Sequence, residues 1–346
     1  MSAAFLASRD PNVRQPALRL MRRAADYAQV ELGMMRMAVH PSENRNGSMA
    51  LPTGLLFSLF GLGTTVCWVD ARSLGLPFFR ETRRLLARLN RQQRISPGAV
   101  DAERLEFFNK CMTYCDMLLS VVHDDVVADK CLEEQLLDAE IEVPTVPDPD
   151  APNSLRSLGD TGDSRTPPSH LALIAEAYRL SSLLVLYETF PSLGFLRLPG
   201  RAPTEGGGCL SNAVSDAFSL SLAGSPAVLW QEWITPLSLH LLQVLERIPP
   251  TSGSRVIQPL LYICASTGLR QPDMTVEAEL AKVSQGRNFI MQRLTILESS
   301  LPPTPVRVAK ELVRAIWRAH DATPPGTTPV HWINVMEVND LRSMFG

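Results

Sequence analysis

The stretch from His170 to Pro191, HLALIAEAYRLSSLLVLYETFP, constrains the fold of this chain more than any other. Leu173, Ala177, Leu180, Leu184 and Tyr187 recur at the three- and four-residue spacing of one helix face. Leu171, Ile174, Tyr178, Leu183, Val185 and Leu186 lie off that stripe, so most of the circumference is apolar. Such a helix belongs at the centre of a larger helical protein. Glu176, Arg179 and Glu188 interrupt it, and the uncharged run is too short for a membrane span. Pro167 and Pro168 before it and Pro191 after it mark its ends. Glu176 and Arg179, three residues apart, are predicted to pair, because polar groups near a core need partners.

Other segments share the helical period. Pro16–Ala38 carries a stripe through Leu20, Ala24, Tyr27 and Leu32. Leu51–Asp70 is apolar all round, and Gly61 and Gly63 within it suggest close helix contact. Leu76–Arg91 sets Phe78, Phe79, Leu85, Leu86 and Leu89 against five arginines. Asp101–Val122 runs through Leu105, Phe108, Met112, Cys115 and Leu119. Further helices are predicted at Val228–Ile248, Arg255–Leu269 and Val276–Ser300, and one is capped by Thr304 with Pro305 at its first position. No run of period-two strands and no fixed-period repeat is visible.

The expectation is therefore all-α: a single large multi-helix domain around a central buried helix at about 170–190. Residues 1–15 read as a disordered start, 16–346 as the domain, and 144–168 as a mobile loop rich in Pro, Gly, Ser and Asp. With 45% hydrophobic residues and a net charge of -3, the 346-residue chain has ample core material and no overall charge for nucleic acid. The start lacks a continuous apolar signal segment, so the six cysteines read as reduced thiols of an intracellular protein.

Sites of chemistry are few. Cys111 and Cys115, four apart, can share one helix face, and His123 and Asp124 lie two to three turns further on, but zinc sites need a tighter second pair. Asp124, Asp125 and Asp129 form D-D-x-x-x-D, the pattern with which class I terpene synthases hold magnesium and diphosphate. Asn339, Asp340 and Ser343 begin like that family's second metal motif, without the glutamate that completes it. The arginines from Arg80 to Arg94 fit either a phosphate contact or the solvated face of a buried helix. Gly206-Gly207-Gly208 lacks the lysine of a phosphate loop, and no nucleophile elbow is present. No catalytic, cofactor, metal or DNA-binding residue is assigned on this pattern.

Several stretches taken in order resemble a known family. They are LLFSLFGLGTTVCWVD with LGLPFFRETRRLLARL, and FFNKCMTYCDMLLSV with its Tyr114 and Asp116. The central helix matches through Ala175, Tyr178, Arg179, Leu183, Leu184, Leu186 and Tyr187. The closing segments match through Arg293-Leu294, Ile316-Trp317 with Asp321, and His331-Trp332. From about Pro16 onward the chain resembles the fungal-specific transcription factor domain, the regulatory region that follows a binuclear zinc-cluster DNA-binding module. The resemblance implies a nuclear, non-enzymatic transcription regulator that binds coregulator proteins or a small effector and needs no cofactor. It implies DNA contact only through a six-cysteine module, whose C-x2-C pairs are missing from this sequence. Two other readings are a terpene-synthase-like enzyme using Asp124, Asp125 and Asp129, and a helical scaffold unrelated to transcription.

Overall fold

The computed structural model describes residues 11–37, 51–95, 101–122, 162–191, 193, 230–271, 277–324 and 327–345. Among them are ten α-helices and no strand, as the helical periodicity predicts. The chain divides into two compact units. One is Met1–Asp125 with Ser300–Val308 and Arg342–Met344; the other is Val126–Ser299 with Ala309–Leu341 and Phe345–Gly346.

The first unit contains α1 (Pro11–Met37), α2 (Thr53–Thr65), α3 (Leu76–Ile95) and α4 (Ala102–Val122), each packed on the next. The first helix begins at Pro11, five residues before the expected start at Pro16. Its packed line is Ala17, Ala28 and Leu32, whereas Leu20 and Tyr27 of the expected stripe face outward. Small residues carry the contact because they let helix backbones approach closely. The same economy appears between α2 and α3. A Cβ on Gly63 would lie 2.8 Å from the Phe79 ring, and one on Gly75, at φ +66°, would lie 2.1 Å from the Gly63 carbonyl oxygen. Gly61, also expected at a close contact, faces open space. On α4 all five residues of the expected stripe, from Leu105 to Leu119, are buried. The arginines of α3 are exposed, and Arg83 pairs with Asp116 of α4.

The second unit holds α5 (Pro168–Thr189), α6 (Thr235–Glu246), α7 (Gln258–Thr267), α8 (Glu277–Ser300), α9 (Pro303–Ala322, from Ala309 onward) and α10 (Trp332–Val338). A π-helical turn, Trp230–Ile234, leads into α6. The α5 helix packs against α6 and α7. It buries Leu173, Ala177, Leu180, Leu184 and Tyr187, the whole predicted stripe. By length and composition α5 could cross a membrane, at a mean hydropathy of 1.2. A packed core helix passes that test as well. Glu176 accepts two hydrogen bonds from Arg179, at 2.6 and 2.7 Å, which is the predicted pair. The most enclosed helix is α7, in which every residue from Gln258 to Thr267 is buried. On this part of α9, Ala309, Leu312, Val313 and Ile316 are buried. That helix starts at Pro303, however, so Thr304 lies inside its first turn and is not its cap.

Candidate functional site

Two features of the second unit gather its polar chemistry. The first is a polar interior where the C-terminal end of α7 meets α9 and α10. Gly268 ends α7, and a Cβ there would fall 2.1 Å from Ser238 Oγ and 2.8 Å from the Ile234 carbonyl oxygen, so only glycine fits against α6. Thr235 Oγ1 donates to the Gly268 carbonyl at 2.7 Å and closes this junction. Arg270 follows, wholly buried, and donates to the carbonyls of His320, Thr323, Pro324 and Thr327. Arg287 of α8 makes a two-pronged pair with Asp321 at 2.7 Å for each bond, and also donates to the Leu269 carbonyl. Its guanidinium lies 5.0 Å over the Trp317 ring, and Trp317 Nε1 donates to the Ser266 carbonyl. Trp317 and Asp321, two residues of the closing part of the resemblance, are thus structural clamps.

Three ionisable side chains of this interior are shifted by burial. The Glu188 carboxyl is enclosed, Oε1 has no partner, and its pKa is pushed up from 4.5 to about 8, only partly offset by the Thr267 hydroxyl. Burial pushes the His331 imidazole down from 6.5 to about 4, with His320 adding to the effect. Its geometry agrees, since Nδ1 accepts from the Ile333 amide as the cap of α10. The Nε2 atom lies 3.4 Å from Thr189 Oγ1, which itself donates to the Val185 carbonyl, so Nε2 carries the proton. His320 is likewise lowered by burial.

These shifts give stability a definite pH profile. Folding retains a proton on Glu188 between pH 4.5 and about 8, so that contribution falls as pH rises through the window. Folding excludes a proton from His331 between about 4 and 6.5, so that contribution is lost as pH falls through it. The slope of Glu188 opposes that of the histidines below pH 6.5, and above it Glu188 is the one of these three groups still titrating. The melting temperature should therefore decline from pH 6.5 to 8, and Glu188→Gln should flatten that decline. Parallel profiles for the two proteins from pH 5 to 9 would contradict the assignment.

The second feature is a groove of about 250 Å³ between α6 and α8. Leu239, Leu242, Gly286 and Phe289 form its apolar walls, with Glu246 and Lys282 among the polar residues around them. None of its lining residues comes from α5. Gly286 permits the close approach, because a Cβ there would already lie 3.0 Å from Leu242 Cδ1. Arg293, one turn beyond Phe289, donates from Nη2 to the Glu246 carbonyl and ties α8 to the end of α6.

The sequence candidates fare unevenly. Asp124, Asp125 and Asp129 lie outside the described residues, as do His123 and Gly206-Gly207-Gly208. Asn339 caps α10 through its Nδ2 donation to the Val335 carbonyl, which accounts for its presence without a metal. Among the described residues no group of three or more His, Cys, Asp or Glu side chains could hold a metal ion. Burial pushes the Cys115 and Cys264 thiols up to about 12, so both are protonated at neutral pH and are poor nucleophiles. The groove and the clamp of Arg270 have no counterpart among the sequence candidates. The signal for the groove is Gly286 on an otherwise regular helix, and for the clamp Gly268 ahead of Arg270.

The family model of the fungal specific transcription factor domain matches residues 128–346, well over half of the chain and all of α5 to α10. The chain belongs to that family, and its membership supports a role in transcription regulation. The stretches at 55–70, 74–89 and 107–121 that share in the resemblance lie ahead of the matched residues. No curated protein and no solved structure matches the chain.

Proposed function

We propose that the chain is the regulatory part of a nuclear transcription regulator, and that it works by binding a coregulator protein or a small effector. The family match over residues 128–346 carries this reading. The interior of the second unit supports it, because its arginines and tryptophan are engaged in holding helices together. The raised thiols of Cys115 and Cys264 favour a binding role over nucleophilic chemistry. Regulation proceeds by population shift: a ligand that binds one arrangement of the helices better than another biases the ensemble toward it. DNA is engaged through a zinc-cluster module, whose cysteine spacing these residues lack.

Transcript profiling tests the proposal. Cells of the source organism lacking the chain, and cells carrying only an unfolding variant, are expected to change the same set of transcripts. Unchanged transcripts in both strains would contradict it.

A further inference from the structure

In the first unit, α3 turns an almost unmixed positive charge to solvent. It carries six arginines, one glutamate and no lysine. Phe79, Thr82, Leu85, Leu86 and Leu89 form its buried face. On the opposite face Arg80, Arg84, Arg88, Arg91 and Arg94 follow one another three or four residues apart, and all five are exposed. Residues at that spacing are neighbours on a helix surface. At 1.5 Å of rise per residue the row is roughly 21 Å long. Arg84 pairs with Glu81 at 2.6 Å. Among the described residues Arg80, Arg88, Arg91 and Arg94 have no acidic partner.

A helix face that meets only solvent usually mixes its signs. The neighbouring α4 does so: Arg104 pairs with Asp101 at 3.2 Å and Lys110 with Glu106 at 2.7 Å. Like charges three or four residues apart weaken a helix instead, so the α3 row is kept at a cost that an anion lying along it would remove. The page favours carboxylates for that anion. Arg83, at the flank of the row, already takes the Asp116 carboxylate through Nε and Nη2, and Arg84 takes that of Glu81. The guanidinium fork suits a planar carboxylate. A second helix with acidic residues every third or fourth position repeats the pitch of the row. The chain's net charge of -3 repels an extended polyanion such as nucleic acid, whereas a short segment feels mainly the charges within a screening length of about 8 Å. Ile95, 75% exposed at the end of the row, adds an apolar contact that a phosphate backbone cannot use.

We propose that the exposed face of α3 docks an acidic helical segment of a partner protein, whose carboxylates pair with Arg80, Arg88, Arg91 and Arg94. This names the chemistry of the coregulator proposed above and rests on that reading for its regulatory meaning, while binding itself does not depend on it.

The probe is a labelled, end-capped peptide with five glutamates at every fourth position and alanine between them, titrated with the full chain by fluorescence anisotropy at low salt. Its counterparts are the same peptide with glutamine for glutamate and a six-nucleotide thymidine strand of equal charge. The glutamate peptide is expected to bind, with the glutamine peptide and the nucleotide strand each weaker by about tenfold or more. Arg88→Glu with Arg91→Glu should weaken the glutamate peptide by about tenfold, since exposed pairs are both lost and reversed. Arg88→Gln with Arg91→Gln, which adds no repulsion, should show a smaller loss. Arg104→Glu with Lys110→Glu changes the net charge as much as the first pair does, on the adjacent helix, and should leave the affinity within about twofold. All these side chains are exposed, so the variants should melt like the parent. No binding of the glutamate peptide, an equal loss in the α3 and α4 glutamate variants, or tighter binding of the nucleotide strand would overturn the proposal. If the peptide binds through the row while the transcript profiles above stay unchanged, the surface stands and the regulatory reading falls. Altered transcripts without peptide binding remove the surface and leave the regulatory reading in place.

Discussion

Leu184→Asp should leave the second unit without a cooperative thermal transition. Leu184 is wholly buried in the middle of the α5 stripe, between Leu180 and Tyr187. Truncating such a leucine alone costs about 2–5 kcal/mol. Placing an unpaired carboxylate there adds several kcal/mol of desolvation. The sum is comparable to the whole stability of a domain, about 5–15 kcal/mol. Leu171 lies on the same helix but is 37% exposed, so Leu171→Asp should change stability by no more than about 1 kcal/mol. Circular dichroism melts of the two variants make the comparison. A soluble, cooperatively melting Leu184→Asp protein would contradict the placement of α5 at the core.

Arg270→Met should cost several kcal/mol, about 1–3 for each buried carbonyl left without its donor. The arginine has no exposed surface, and its four carbonyl acceptors follow or end α9. Carbonyls at a helix C-terminus lack helical donors and carry the negative end of its dipole. A buried cation is tolerable there because these oxygens solvate it. Methionine fills much of the volume and donates nothing, so the connection from α9 to α10 should loosen first. Amide hydrogen exchange in α10 is expected to accelerate well before exchange in α5. Arg270→Lys should recover only part of the loss, since a single ammonium cannot reproduce the guanidinium fork. Unchanged exchange in α10 of the methionine variant would show that the clamp is dispensable.

Sequence periodicity made the α5 stripe legible because its buried residues are large, apolar and evenly spaced. The same rule served α1 less well, since of its stripe Leu32 is buried but Leu20, Ala24 and Tyr27 are exposed. Its contact uses Ala17 and Ala28, which carry a weak apolar signal, while exposed Leu20 and Tyr27 carry a strong one. The enclosure of α7 was illegible for a related reason. Gln258, Ser266 and Thr267 are buried there, and polar residues argue for a surface unless their partners are known. Ser266 and Thr267 donate back to carbonyls of their own helix, which no pattern of apolar residues reveals.

The resemblance included Trp317 and Asp321 but not what they do. Trp317 and Asp321 stand one turn apart on α9 and meet the same Arg287. Their role is to hold α8 and the end of α7 to that helix. The groove required three-dimensional knowledge, because Leu242 and Gly286 lie far apart in the chain and meet only through the crossing of α6 and α8.

The most direct test of the central claim fuses the full chain to a foreign DNA-binding domain and measures transcription from its reporter. The intact chain is expected to raise or lower reporter output relative to the DNA-binding domain alone, and the Leu184→Asp fusion, expressed at the same level, is expected to return it to that baseline. Output equal to the baseline with the intact, folded chain would contradict a role in transcription regulation.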